Sequence, residues 1–254
     1  MKVCAVAQIV LAVCLMAPSV FAQDSAVNGN AVQKRIADVI DIAPWGFAGA
    51  DGQPAGVYTH VFRRLSERSG CILEPRLTPI TRAVMEVSRG SASATIMLDR
   101  ADLNENAVLL GEVAELRIEV WLPPGSTLRS LNDLAGKTVG VLRGPNYHEG
   151  FNRDARILKR PVTNPRQQLE MLIKGRLDAA IGVRENFLIT VAQMRIQPSA
   201  FAPPIKLGQR SVNLWVAPNL RDTPCAEQWR QALKDMRRDG EIKKLFSGAV
   251  TVDQ

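Results

Sequence analysis

Three places in this sequence set a guanidinium beside a turn that follows an apolar run. They are Asp99-Arg100, Arg143-Gly144-Pro145-Asn146-Tyr147 and Arg184-Glu185. An arginine in such a turn grips carboxylates bidentately, and backbone amides at a following helix start favour anions. Bond-making chemistry finds less material. His60 and His148 are the two histidines, and the sequence holds no HExxH, CxxC or GxSxG pattern. The glycines at 46, 49 and 52 have turn spacing, not dinucleotide-loop spacing. His148, next to Tyr147, could do acid–base work; a polar histidine at a helix start equally serves the surface or a ligand. These features point to anion recognition before catalysis, with no cofactor and no metal implied.

The elements that must position these arginines alternate along the chain. Apolar runs at 36–43, 71–77, 94–98, 116–122, 138–142, 179–183 and 212–217 read as strands. Helical spacing appears at 56–69, 81–89, 131–134, from about 147, 166–174, 187–194, 225–238 and 242–246, with Gly70, Gly90, Gly175 and Gly240 as stops. Such alternation means an α/β fold with largely parallel sheets. MEVSRGSASATIML (85–98) and LEMLIKGRLDAAIGV (169–183) form a weak internal echo, which two similar lobes or chance would produce.

The chain has 254 residues, 46% hydrophobic and 22% charged, which excludes disorder and coiled coil. Residues 1–22 read as a secretory signal peptide. Lys2 opens it, Val3 to Ala17 carry no charge, and Val20-Phe21-Ala22 suits cleavage after Ala22. A lipid anchor at Cys14 is the rival reading. Removing 22 residues from 254 leaves 232, and losing Lys2 takes the net charge from +7 to +6. The expected location is periplasmic. No basic cluster with interleaved aromatics suggests nucleic acid. Export leaves Cys71 and Cys225, an even pair in an oxidising compartment. They are either two buried thiols or a disulfide.

Four segments, in order, carry a resemblance. DIAPWGFAGADGQPAGVY (41–58), LSERSGCILEP (65–75), LNDLAGKTVGVLRGPNY (131–147) and LIKGRLDAAIGV (172–183) together span nearly all of residues 36–246. The sequence resembles periplasmic solute-binding proteins of family 3, with the type II fold. The resemblance implies two α/β lobes joined by two crossing strands, with a ligand cleft between them. Lobe one would hold 23–118 plus 213–254, and lobe two 119–212. Cys71 and Cys225 then both fall in lobe one, a second reason to pair them.

Ligands in open α/β sheets sit beyond the carboxyl ends of strands. The candidate ligand residues are therefore Trp45, Arg82, Asp99, Arg100, Arg143, Tyr147, Arg184 and Glu185. Trp45 either walls the cleft or caps the core. Arg82 either points inward or is solvated. Two departures from the family bear on the ligand. The family's Thr-Pro-Glu-Arg-like stretch is replaced by RADLNEN (100–106), which leaves only Arg100, placed earlier. Val183 stands where the family usually has an acid for an α-ammonium group, with Glu185 nearby. The ligand expected is small, polar or anionic, either amino-acid-like or an organic acid. The expected role is that of a monomeric carrier for an ABC-type permease. The alternatives are a ligand-sensing partner of a membrane receptor and a periplasmic lyase or dehydratase on the same fold.

Overall fold

The computed structural model describes residues 35–248. The signal-peptide reading of residues 1–22 lies outside the described residues. Ten strands run β1 Arg35–Ile40, β2 Phe47–Ala48, β3 Pro54–Ala55, β4 Leu73–Thr78, β5 Ala94–Leu98, β6 Val108–Leu122, β7 Thr138–Leu142, β8 Leu158–Val162, β9 Ala179–Val183 and β10 Ala202–Val216. Eight α-helices run α1 Val57–Ser69, α2 Ile80–Arg89, α3 Ala101–Asn106, α4 Glu149–Arg153, α5 Pro165–Ile173, α6 Arg184–Gln193, α7 Pro224–Arg238 and α8 Glu241–Gly248.

Local chemistry sets these boundaries. In α1, Val57, Val61, Phe62 and Leu65 make one buried face. Gly70 ends the helix in the left-handed region at φ 72, its amide donating to the Ser66 carbonyl. Asn164 and Thr223 cap α5 and α7 with side-chain oxygens, each followed by proline at the first turn.

Eight strands form a sheet ordered β4-β1-β5-β10-β6-β9-β7-β8. β1 pairs parallel with β4 and β5, and β7 pairs parallel with β8 and β9. The sheet is mixed where the sequence suggested largely parallel pairing. The reason lies in β6 and β10, two 15-residue strands that pair antiparallel along their length. The Val212–Val216 end of β10 pairs with β5, and residues 118–121 of β6 pair with β9. Each long strand thus belongs to one half-sheet at one end and to the other half-sheet at the other. These are the two crossing strands that the resemblance implied, and they join two α/β lobes.

A disulfide links Cys71 to Cys225, with Cα atoms 5.7 Å apart. It ties α7 to the turn before β4. The Trp229 indole N–H donates to the Cys71 carbonyl at 3.0 Å, and Arg68 pairs with Asp239 at 2.9 Å and Glu241 at 2.7 Å. The C-terminal helices are therefore bonded to the end of α1 and the turn before β4, although they follow β10 in sequence. Among the described residues no helix is long and apolar enough to cross a membrane.

Candidate ligand cleft

Strands β1, β5, β7 and β9 end around one cavity. Ile40, Leu98, Leu142 and Val183, their last residues, all line it. Two of these strands belong to each lobe, so the cavity sits between lobes. Its volume is about 40 Å³, room for little beyond water. Small-molecule sites usually offer about 300–1,000 Å³. The lobes are closed on each other.

Trp45, directly after the Ala43-Pro44 pair, forms one wall and is only 2% exposed. Its ring stacks on Tyr58 with centroids 5.4 Å apart, and Phe246 lies 5.5 Å away. Its indole N–H crosses the cleft and donates to Asn186 Oδ1 at 2.6 Å, in the first turn of α6. Both readings of Trp45 therefore describe one ring, which is packed in the core and faces the cavity. Tyr147 lies opposite, also buried. Burial pushes its phenol above the usual range. Burial, helped by the nearby Glu185 carboxylate, does the same to Tyr58. Both phenols are neutral near pH 7.

Arg100 is the charged side chain in this lining. It is the residue before α3, two after the end of β5, and its side chain is 11% exposed. Its Nε and Nη2 both donate to Asp102, at 2.5 and 2.6 Å. Burial alone would raise the Asp102 carboxyl; the guanidinium overrides it and holds that group below the usual carboxylate range. The remaining Nη1 faces Gly144 of the other lobe. A Cβ on Gly144 would lie 3.2 Å from Nη1 and 3.0 Å from Ile80, at φ 107. Only glycine suits this close approach.

The structure brings Trp45, Arg100 and Tyr147 to one cavity and distributes the other candidates. Asp99 turns to the crossing strands, where Arg210 Nη2 lies 3.3 Å away, and accepts from Asn104 at 3.2 Å. Arg143 is exposed on a separate opening of about 450 Å³ shared with Asp41 and Thr163. Arg82 is exposed on α2 and lines neither space. Arg184 faces Glu119 at 3.4 Å on the flank of lobe two. Glu185 is buried in a groove next to Trp45, with Arg117 at 3.4 Å and its Oε2 without a partner among the described residues. His148 caps α4, its Nδ1 accepting from the Phe151 amide at 3.3 Å; neither histidine lines the cavity. Among the described residues no cluster of three metal-ligating side chains forms.

Sequence reasoning passed over Tyr58 and Asn186. Tyr58 enters the sequence reading only as the end of the segment 41–58 that carries the resemblance, at the start of α1. Asn186 directly follows the Arg184-Glu185 pair that drew attention, and a helix starting at 184, not 187, turns it to the cleft.

No family model matches the sequence, and no curated protein matches it. Solved structures do. An ancestral arginine-binding protein bound to arginine superposes with a TM-score of 0.70 at 20% identity, over 85% of this chain and 97% of that one. A histidine kinase sensor domain with similarity to periplasmic binding proteins gives 0.72 at 17% identity, over 85% and 95%. This chain has the type II periplasmic-binding-protein fold. The solute receptor for L-cysteine of Neisseria gonorrhoeae also shares that fold, with a TM-score of 0.71 at 15% identity, over 85% of this chain and 89% of that one. In this fold the two lobes are joined by crossing strands, here β6 and β10, and the cavity around Arg100 lies between the lobes.

Proposed function

We propose that this chain is a solute-binding protein that captures a small carboxylate between its lobes. One observation carries the reading: a cavity formed by strand ends from both lobes has Arg100 as its charged group, the Asn186 amide beside it, and otherwise aromatic and aliphatic walls. The carboxylate replaces part of the Asp102 pairing or meets the free Nη1. The apolar part of the solute packs on Trp45 and Tyr147.

The lining favours an organic acid over an ordinary amino acid. A bound α-ammonium needs an acceptor carboxylate, and none lines the cavity; Val183 stands at the end of β9. Glu185, the nearest alternative, opens into the neighbouring groove. Ligand binding favours the closed state because it contacts both lobes, and the motion is a hinge at the crossing strands. The lobe limits of this reading are 23–118 plus 213–254, and 119–212.

The carrier acts in the periplasm after cleavage behind Ala22 and hands its solute to an ABC-type permease. Reporting to a membrane sensor is the second reading; the likeness to a histidine kinase sensor domain favours keeping it.

A thermal-shift panel of small carboxylates and amino acids, with a turnover assay on each hit, tests the proposal. A carboxylate that raises the melting temperature by mass action and is recovered unchanged supports it. Conversion of the hit to product, or stabilisation by amino acids alone, contradicts it.

A further inference from the structure

A second cavity lies outside the cleft, on the flank of lobe two where the crossing strands pass. It measures about 470 Å³, against about 40 Å³ between the lobes, and falls within the usual size of small-molecule sites. Its floor is aromatic and aliphatic. Trp121 and Phe201 meet with centroids 5.1 Å apart, and Leu188 and Pro198 complete the apolar surface.

The polar groups of this cavity are arranged with one charge left over. Glu119 is buried, accepts from the Trp121 indole N–H at 3.0 Å and faces Arg184 at 3.4 Å. Arg117 is matched by Glu185. Lys206 sits directly across from Glu119 in the β6–β10 ladder and is exposed, and no carboxylate pairs with it among the described residues. The ladder shifts register between Lys206 and Gly208, where Gly208 has φ 100. Such a bulge re-aims neighbouring side chains. The site thus combines an apolar floor, whose two rings are tilted 57° to each other, with one unmatched cation in its lining.

We propose that this cavity is an accessory binding site for an aryl monocarboxylate. The ring lies on Trp121 and Phe201, and the carboxylate meets Lys206. The site is separate from the inter-lobe cleft and does not depend on the solute proposed there.

Calorimetric titration of the full chain with 3-phenylpropionate, and with 3-phenylpropionamide as the uncharged comparator, tests this. The acid should bind about tenfold more tightly than the amide. Lys206→Gln, an exposed substitution that leaves the cleft intact, should reduce the acid to the affinity of the amide. Arg100→Gln should leave acid binding unchanged. The proposal is overturned by no binding of the acid, by equal affinity for acid and amide, or by binding that survives Lys206→Gln and is lost in Arg100→Gln. The last result would place the probe in the inter-lobe cleft.

Discussion

Trp45 and Asn186 lie 141 positions apart and meet across the cleft through a buried hydrogen bond of 2.6 Å. The bond joins the turn after β1 to the first turn of α6, so it exists only when the lobes are closed. Asn186→Leu would leave the indole N–H buried without an acceptor, which costs about 1–3 kcal/mol. The variant should therefore stay folded but populate the open form. Small-angle scattering should show a larger radius of gyration than the wild type, and an unchanged radius would remove the latch role.

Gly144→Ala tests closure from the other side. The added methyl would meet Arg100 and Ile80 of the facing lobe, at a φ that side chains rarely adopt. The expected outcome is a more open molecule with solute affinity reduced by tenfold or more, read by titration with whichever carboxylate stabilises the wild type. Wild-type affinity would show that the lobes do not approach this closely in solution.

The Cys71–Cys225 bridge closes a loop of 154 positions. A chain-entropy model credits a loop of this length with roughly 5 kcal/mol, and losses of about 2–5 kcal/mol are typical for native bridges. Changing both cysteines to serine should lower stability by that order in urea denaturation, with ligand binding retained once the protein is folded. A loss below about 1 kcal/mol would mean that α7 is held by its packing and its ion pairs alone.

Asp38 supplies a pH test. It is fully buried on β1, and its Oδ1 accepts from Arg76 and Thr78 while Oδ2 has no partner among the described residues. Burial raises its carboxyl above the ordinary value of 3.8, with Glu86 adding to this and Arg76 and Thr78 opposing it. The folded state then holds this proton more tightly than the unfolded chain does. Its contribution to stability is full below 3.8 and is lost as pH rises through the folded value. The stability of Asp38→Asn relative to wild type should therefore climb as pH rises from about 3.8, then level off. A flat difference would show that Arg76 fully compensates the burial.

Much of the fold was legible because buried strands carry their own signature. The runs 94–98, 138–142 and 179–183 match β5, β7 and β9 residue for residue. The crossing strands were read only at one end each, as 116–122 and 212–217. Their remaining halves hold Gly111 and Glu112, or Pro203, Pro204 and Gly208, and resemble loops. Residues 202–210 of β10 pair with β6 alone, and an edge tolerates proline. The same reason hides β8, whose Pro161 sits on an edge strand paired only with β7. Of the candidate residues, Trp45, Arg100 and Tyr147 line the inter-lobe cavity, where chemistry and strand ends coincide. Arg184 and Glu185 follow a strand as well, but α6 starts at once and turns them to the flank and the groove, presenting Asn186 instead.

The most direct measurement compares wild type with Arg100→Gln in thermal-shift titrations with small carboxylates. Arg100 is the charge lining the inter-lobe cavity, so a carboxylate that stabilises the wild type should lose most of its effect on the variant. Equal stabilisation of both proteins would contradict capture of the solute by Arg100.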